Sequence, residues 1–142
     1  MPQFLLDTNV LSEQKKPRPD AGVMAWFSQN SVSSSVISVV SIAEIEQGIL
    51  LLGRTKRATA YRIWLAELEQ DFFGCILPID REVASAWAEL TSKAIRLGQT
   101  LSYPDSLIAA TALVYQVTVV TRNVSDFSGF VPVLNPWLED LN

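Results

Sequence analysis

The chain has 142 residues, 15 of them acidic, 11 basic and none histidine, for a net charge of −4. An apolar fraction of 49% against 18% charged residues excludes intrinsic disorder, and the acidic total excludes a general nucleic-acid coat, whose affinity rests on phosphate contacts. Without imidazole there is no Ser-His-Asp or Cys-His catalysis and no histidine-based zinc site, so a bound metal would be held by oxygen, which selects Mg²⁺, Mn²⁺ or Ca²⁺.

Phe4-Leu5-Leu6 reads as a short buried strand that stops at Asp7. This apolar run is too short for a signal peptide or a membrane span, and Glu44, Glu46 and Gln47 interrupt the next one, so a cytoplasmic location is expected. Asn9 to Glu13 suggests a short helix, and Lys15 to Pro19 a basic loop. Asp20 is placed to cap a helix that carries Val23, Trp26 and Phe27. Val36 and Ile37 predict a second strand. From Ser41, the residues Ile42, Ile45, Ile49 and Leu52 recur at helical spacing, and Gly53 ends the pattern.

A longer helix is expected over about 55–73, with Tyr61, Trp64, Leu65, Leu68 and Phe72 inward. Ile76 to Ile79 predicts a third strand. A helix follows from about Arg81 to Leu97, with Val83, Trp87, Leu90, Ala94 and Leu97 as its apolar stripe. Pro104 opens a helix that runs from Ser106 to Tyr115. Val117 to Thr121, β-branched throughout, is the clearest strand. A loop with Asn123, Ser125, Asp126 and Phe127 comes next, and Val131 to Leu134 suggests an edge strand. Alternation of this kind predicts a single α/β domain over 1–142 with a mostly parallel sheet. The lone Cys75 can form no internal disulfide and is expected as a small buried apolar residue.

Three acids stand out by position. Asp7 ends the first strand, and Glu44 and Asp105 fall in the expected first turns of two helices; a fourth polar position follows the last clear strand, with Asn123 and Asp126 as candidates. In parallel sheets, sites form beyond the carboxyl ends of strands. Two carboxylates about 4 Å apart repel by roughly 4 kcal/mol at an effective dielectric near 20. A cluster of them therefore protonates or takes up a cation, and a hard divalent cation there suits phosphodiester hydrolysis. Singly, each acid has a plainer reading: Asp7 as a helix cap, Asp105 as a first-turn acid, Glu44 as a solvated face. The bases also group, as Lys15, Lys16 and Arg18 and as Arg54, Lys56, Arg57 and Arg62, which is compatible with ordinary surface or with a substrate rim.

Residues 5–13 (Leu-Leu-Asp-Thr-Asn-Val-Leu-Ser-Glu), 41–48, 104–112 and 120–127 resemble, in order and spacing, the four motifs of PIN-domain nucleases of the VapC toxin type, and Asn135-Pro136-Trp137 resembles the tail of one subgroup. The resemblance implies a three-layer α/β/α sandwich. It also implies a Mg²⁺-dependent endoribonuclease, with Mn²⁺ as a substitute, that acts as the toxin of a toxin–antitoxin pair. Asp7 and Asp105 would hold the metal, Glu44 would complete the pocket, and Thr8, Asn9 and Thr121 would support it by hydrogen bonds. Asn123 stands where relatives often carry Asp, a departure that removes one charge and for which Asp126 is a candidate substitute. The expected partners are RNA, an antitoxin whose basic side chain enters the pocket, and a second copy in a homodimer. The rival readings are a catalytically impaired binding module, favoured by Asn123, and an aspartate-dependent phosphohydrolase, disfavoured because Asn9 replaces the second Asp such enzymes use.

Overall fold

The computed structural model describes residues 2–138. Five strands, β1 (Phe4–Leu6), β2 (Ser35–Ser38), β3 (Ile76–Leu77), β4 (Thr118–Val120) and β5 (Val133–Leu134), form one sheet in the order β3-β2-β1-β4-β5. Every pairing is parallel. Around it lie α1 (Thr8–Glu13), α2 (Ala21–Gln29), α3 (Val39–Leu52), α4 (Lys56–Asp71), α5 (Arg81–Arg96), α6 (Tyr103–Tyr115) and α7 (Val124–Phe127).

Successive strand residues point to opposite faces, and this alternation builds the three layers. Leu5, Val36 and Val119 pack with Leu90 of α5, Ile108 and Ala109 of α6 and Phe127 of α7. Leu6, Ile37 and Val120 face the other way, onto Val23 and Trp26 of α2, Ile45 of α3 and Trp64 and Leu68 of α4. Both faces being covered explains the nearly continuous apolar runs of the strands. Among the described residues no helix is long and apolar enough to cross a membrane.

Three elements depart from their sequence reading. Helix α3 begins at Val39 rather than at Ser41, because the Ser38 side chain accepts a hydrogen bond from the Val40 N–H and turns the β-branched pair Val39-Val40 into the first helical turn. Glu44 therefore lies in the second turn of α3, not the first. The segment after β4 is not all loop, since Val124–Phe127 closes one helical turn that buries Phe127. Leu97, expected on the inner stripe of α5, is 61% exposed because the helix has already ended at Arg96. Cys75 is half-buried and packs against both cores.

Candidate active site

Strand β1 is the centre of the topology. The chain moves from it to β2 and β3 on one side and to β4 and β5 on the other, so the crevice beyond the carboxyl ends of β1 and β4 is where the strand order reverses. Asp7, the first residue after β1, stands there. Its backbone N–H donates to the Val120 carbonyl (3.0 Å) and continues the pairing with β4.

The Asp7 side chain is only 4% exposed, and both its oxygens are engaged. Oδ1 accepts from the Thr8 N–H at 2.8 Å and caps α1. Oδ2 accepts from Thr121 Oγ1 at 2.8 Å. Thr121, fully buried at the end of β4, is a hub. Its oxygen also accepts from the Asn123 backbone N–H (3.0 Å) and from Asn9 Nδ2 (3.3 Å). One hydroxyl thus ties together the first and last motifs, which are over a hundred residues apart.

The remaining acids arrive on helices. Glu44 Oε1 accepts from Thr8 Oγ1 at 2.7 Å, and the same hydroxyl lies 2.9 Å from Ser41 Oγ. Asp105 is the third residue of α6, where Ser102 accepts a hydrogen bond from its backbone N–H at 3.2 Å. Ser102, missed in the sequence because Pro104 drew the helix start, is the cap, and Ser-Tyr-Pro-Asp has the spacing of a capping box. Asp126 lies in the first turn of α7, and Asn123 is the exposed cap position before it, with no side-chain capping bond.

The electrostatics tie these groups into one site. Burial raises the Asp7 carboxyl from 3.8 to about 6; the Thr121 and Thr8 hydrogen bonds oppose the rise, and the charges of Asp105 and Glu44 add to it. Asp105 is raised too, first by burial, with the hydrogen bond to Ser102 opposing and the charge of Asp126 assisting. The charges of Asp105 and Glu44 thus reach Asp7, and that of Asp126 reaches Asp105. Asn123 contributes its backbone N–H to the Thr121 hub, whereas Asp126 is the nearby residue whose charge reaches Asp105.

Among the described residues no three carboxylates converge into a ready-made metal cage. Magnesium does not require one, because it keeps several waters and binds through one or two carboxylates. Asp7, with its destabilised charge, and Asp105 make an oxygen donor set that could hold Mg²⁺ in this way.

A parallel α/β/α sandwich with buried acid at its switch point defines the class, and the model of the PIN domain matches residues 4–128 of this chain. The chain belongs to the PIN-domain family. It is 38% identical over 137 residues to toxin FitB of Neisseria gonorrhoeae, across 94% of this chain and 98% of that protein. It is 33% identical over 136 residues to VapC ribonuclease Y4jK of Sinorhizobium fredii, across 94% and 97% of the two chains. The crystal structure of FitAcB from Neisseria gonorrhoeae superposes with a TM-score of 0.90 at 36% identity, covering 96% of this chain and 99% of that one.

Proposed function

We propose that this protein is a metal-dependent endoribonuclease and the toxin of a toxin–antitoxin pair. The observation that carries the reading is the buried Asp7 carboxyl at the switch point, held up at about 6 with the charges of Asp105 and Glu44 bearing on it. Two further acids within electrostatic reach of a buried one destabilise the site unless a cation joins it. The relatives named as a ribonuclease and a toxin agree with this reading.

In this proposal Asp7 and Asp105 hold Mg²⁺, or Mn²⁺ in its place. When bound there the ion supplies Lewis-acid chemistry, neutralising charge on the phosphoryl oxygens. The chain's own residues do the positioning. Thr121 and the Thr8 N–H fix the Asp7 carboxylate, and Thr8 Oγ1 fixes Glu44, whose free carboxylate capacity orients the attacking water and receives its proton. Asp126 adds negative charge beside Asp105 and takes the role open at the fourth motif; Asn123 supports the Thr121 hub. An antitoxin would silence the site by bringing a cation into the same acidic crevice. The proposal includes action in the cytoplasm, where RNA is available, and a homodimeric state.

Incubating RNA with the protein tests this directly. Cleavage is expected with Mg²⁺, is expected to stop in EDTA, and is expected to fall at least about a hundredfold in Asp105→Asn, since loss of a mere supporting hydrogen bond to a ligand already costs roughly 10- to 100-fold. Mapped cut ends that are identical in EDTA or in Asp105→Asn would overturn it. A PIN-fold binding module would instead show weak Mg²⁺ affinity and no cutting.

A further inference from the structure

The turn that joins α5 to α6 encloses a cavity of about 280 Å³ whose apolar walls are Trp87, Ala94, Ile95, Leu101 and Tyr103. We propose that this cavity is a subsite for one RNA base, stacked on Tyr103 and read at its edge by Gln99. The inference rests on the ribonuclease reading and names a part of the substrate that the acids do not touch.

Tyr103 opens α6, and its ring is 72% exposed. A lone exposed aromatic needs no explanation, but this one is held in place. Its ring lies nearly parallel to that of Trp87, with the planes 14° and the centroids 5.9 Å apart, an offset stack. Trp87 is fixed in turn. Its Nε1–H donates to the buried Ser106 Oγ at 2.9 Å, and that hydroxyl donates to the Tyr103 carbonyl at 3.0 Å. The group that orients one ring thus anchors the backbone beneath the other. Aromatic rings presented to solvent are the surfaces on which single-stranded bases stack.

The turn supplies the polar edge. Gly98 has a φ of 71°, its N–H donates to the Ile95 carbonyl (3.0 Å), and the Gln99 N–H donates to the Ala94 carbonyl (2.8 Å). These two bonds are a Schellman closure of α5, in which the residue after the glycine frequently makes an apolar contact back onto the helix. Here that residue is Gln99, and both it and Ala94 line the cavity. Two of the other polar walls are committed within the chain: Thr91 Oγ1 donates to the Trp87 carbonyl at 2.7 Å, and Ser106 serves the two rings. The Gln99 amide and the Thr100 hydroxyl, both exposed, are left to meet a ligand. An amide carries donors and an acceptor, as the edge of a base does.

The location fits the substrate. Tyr103 and Asp105 are two residues apart, about 3 Å of helix rise, and so leave α6 on opposite sides. The charge of Asp105 reaches Asp7, while Tyr103 turns to Trp87. A strand with its phosphate at the acids therefore crosses the first turn of α6 and offers an adjoining base to the cavity. The charge on the rim agrees. Between Glu89 and Asp105 there is no acid, whereas Lys93 and Arg96 are cations, neither of them in an ion pair among the described residues. Ile95, 75% exposed, is a wall that a second copy of the chain would also cover, and the test separates the two occupants.

The test is fluorescence anisotropy in EDTA, so that nothing is cut, with short labelled single-stranded RNAs in which one base at a time is replaced by an abasic site. At one position the missing base should weaken binding to the parent protein by about 5- to 100-fold, the usual worth of a stacked base. Tyr103→Ala should weaken binding of intact RNA by the same factor and be indifferent to that abasic site. Tyr103→Phe, which keeps the ring, should bind within about twofold of the parent. Gln99→Ala should level the preference among the four bases at that position. Abasic penalties that are identical in the parent and in Tyr103→Ala overturn the subsite, as does a Phe variant as weak as the Ala variant. A slower-sedimenting Tyr103→Ala with unchanged RNA affinity would assign the face to a second copy instead. RNA that shows the coupling to Tyr103 but is not cut in Mg²⁺ would sink the ribonuclease reading and leave the subsite standing; RNA that is cut, with affinity and cut sites unmoved by Tyr103→Ala, would do the reverse.

Discussion

Asp7 carries two opposed obligations. As the cap of α1 it works as any Asp or Asn would, but as a charge it is placed where folding disfavours it. Its carboxyl is raised from 3.8 to about 6, so the native state holds the proton more tightly than the unfolded chain. The contribution to stability is therefore complete below about pH 4 and is lost as pH rises toward 6, with a full penalty of roughly 3 kcal/mol for a shift of this size. Asp7→Asn removes the charge and keeps the cap. It gives up the carboxylate that receives the Thr121 hydroxyl, a loss of about 1 kcal/mol. In EDTA the variant should thus be more stable than the parent by about 2 kcal/mol at pH 8 and no more stable at pH 4, as read by urea denaturation at both values. A variant equally or less stable at pH 8 would mean that the Asp7 charge is not strained. The ends of this network differ in how far sequence reveals them. A cap at Asp7 is local information, and Thr8, Asn9 and Thr121 are readable as its supporters only through family likeness. That one hydroxyl serves the first and last motifs together is a property of β1 lying beside β4, which no spacing along the chain displays.

Two glycines inside helices show how packing against other elements decides a sign that propensity alone would leave the same. Gly22, at the start of α2, faces the tail after β5. A Cβ there would meet the Pro136 carbonyl oxygen at 2.4 Å and the Leu138 nitrogen at 2.5 Å, both backbone atoms that cannot swing away. Leu138 is held by its N–H bond to Asp20 Oδ1 (2.9 Å), and the adjoining Trp137 is covered by Arg122, whose guanidinium lies 5.3 Å from the ring centroid. Gly22→Ala should destabilise by about 1 to 3 kcal/mol through overpacking. Gly48→Ala should stabilise by up to about 1 kcal/mol, since alanine is the better helix former and the position is open. Thermal melting of the pair checks both; two shifts of the same sign would refute the close approach of the tail to α2. Elements with strong local signals were legible: Asp20 as a cap, the stripe of α3, the β-branched run of β4. Those that misread had local signals pointing the wrong way. Val39-Val40 looks like strand until Ser38 caps it, and a four-residue helix such as α7 is too short for any periodicity to announce.

At the scale of the whole molecule the charges are segregated rather than mixed. The sum is −4, yet acids gather at the switch point while Arg54, Lys56, Arg57 and Arg62 bracket the turn between α3 and α4. The other basic group is partly committed to structure, because Lys16 Nζ lies 2.9 Å from Glu13 Oε1, whose partner oxygen accepts from the Asp20 N–H at 2.8 Å. If RNA crosses this surface, the α4 group is what neutralises its phosphates, and the count of cations limits the salt dependence. Four contacts on a single strand correspond to a slope of log Kobs against log salt of about −3, at roughly −0.7 per phosphate. Binding to metal-free protein should show a slope between about −2 and −3. Replacing Arg54 and Arg62 with Gln should bring it near −1.4, two contacts fewer. Fluorescence anisotropy of a labelled oligoribonucleotide across a salt series measures both. A slope indifferent to these two arginines would place the RNA path on another face.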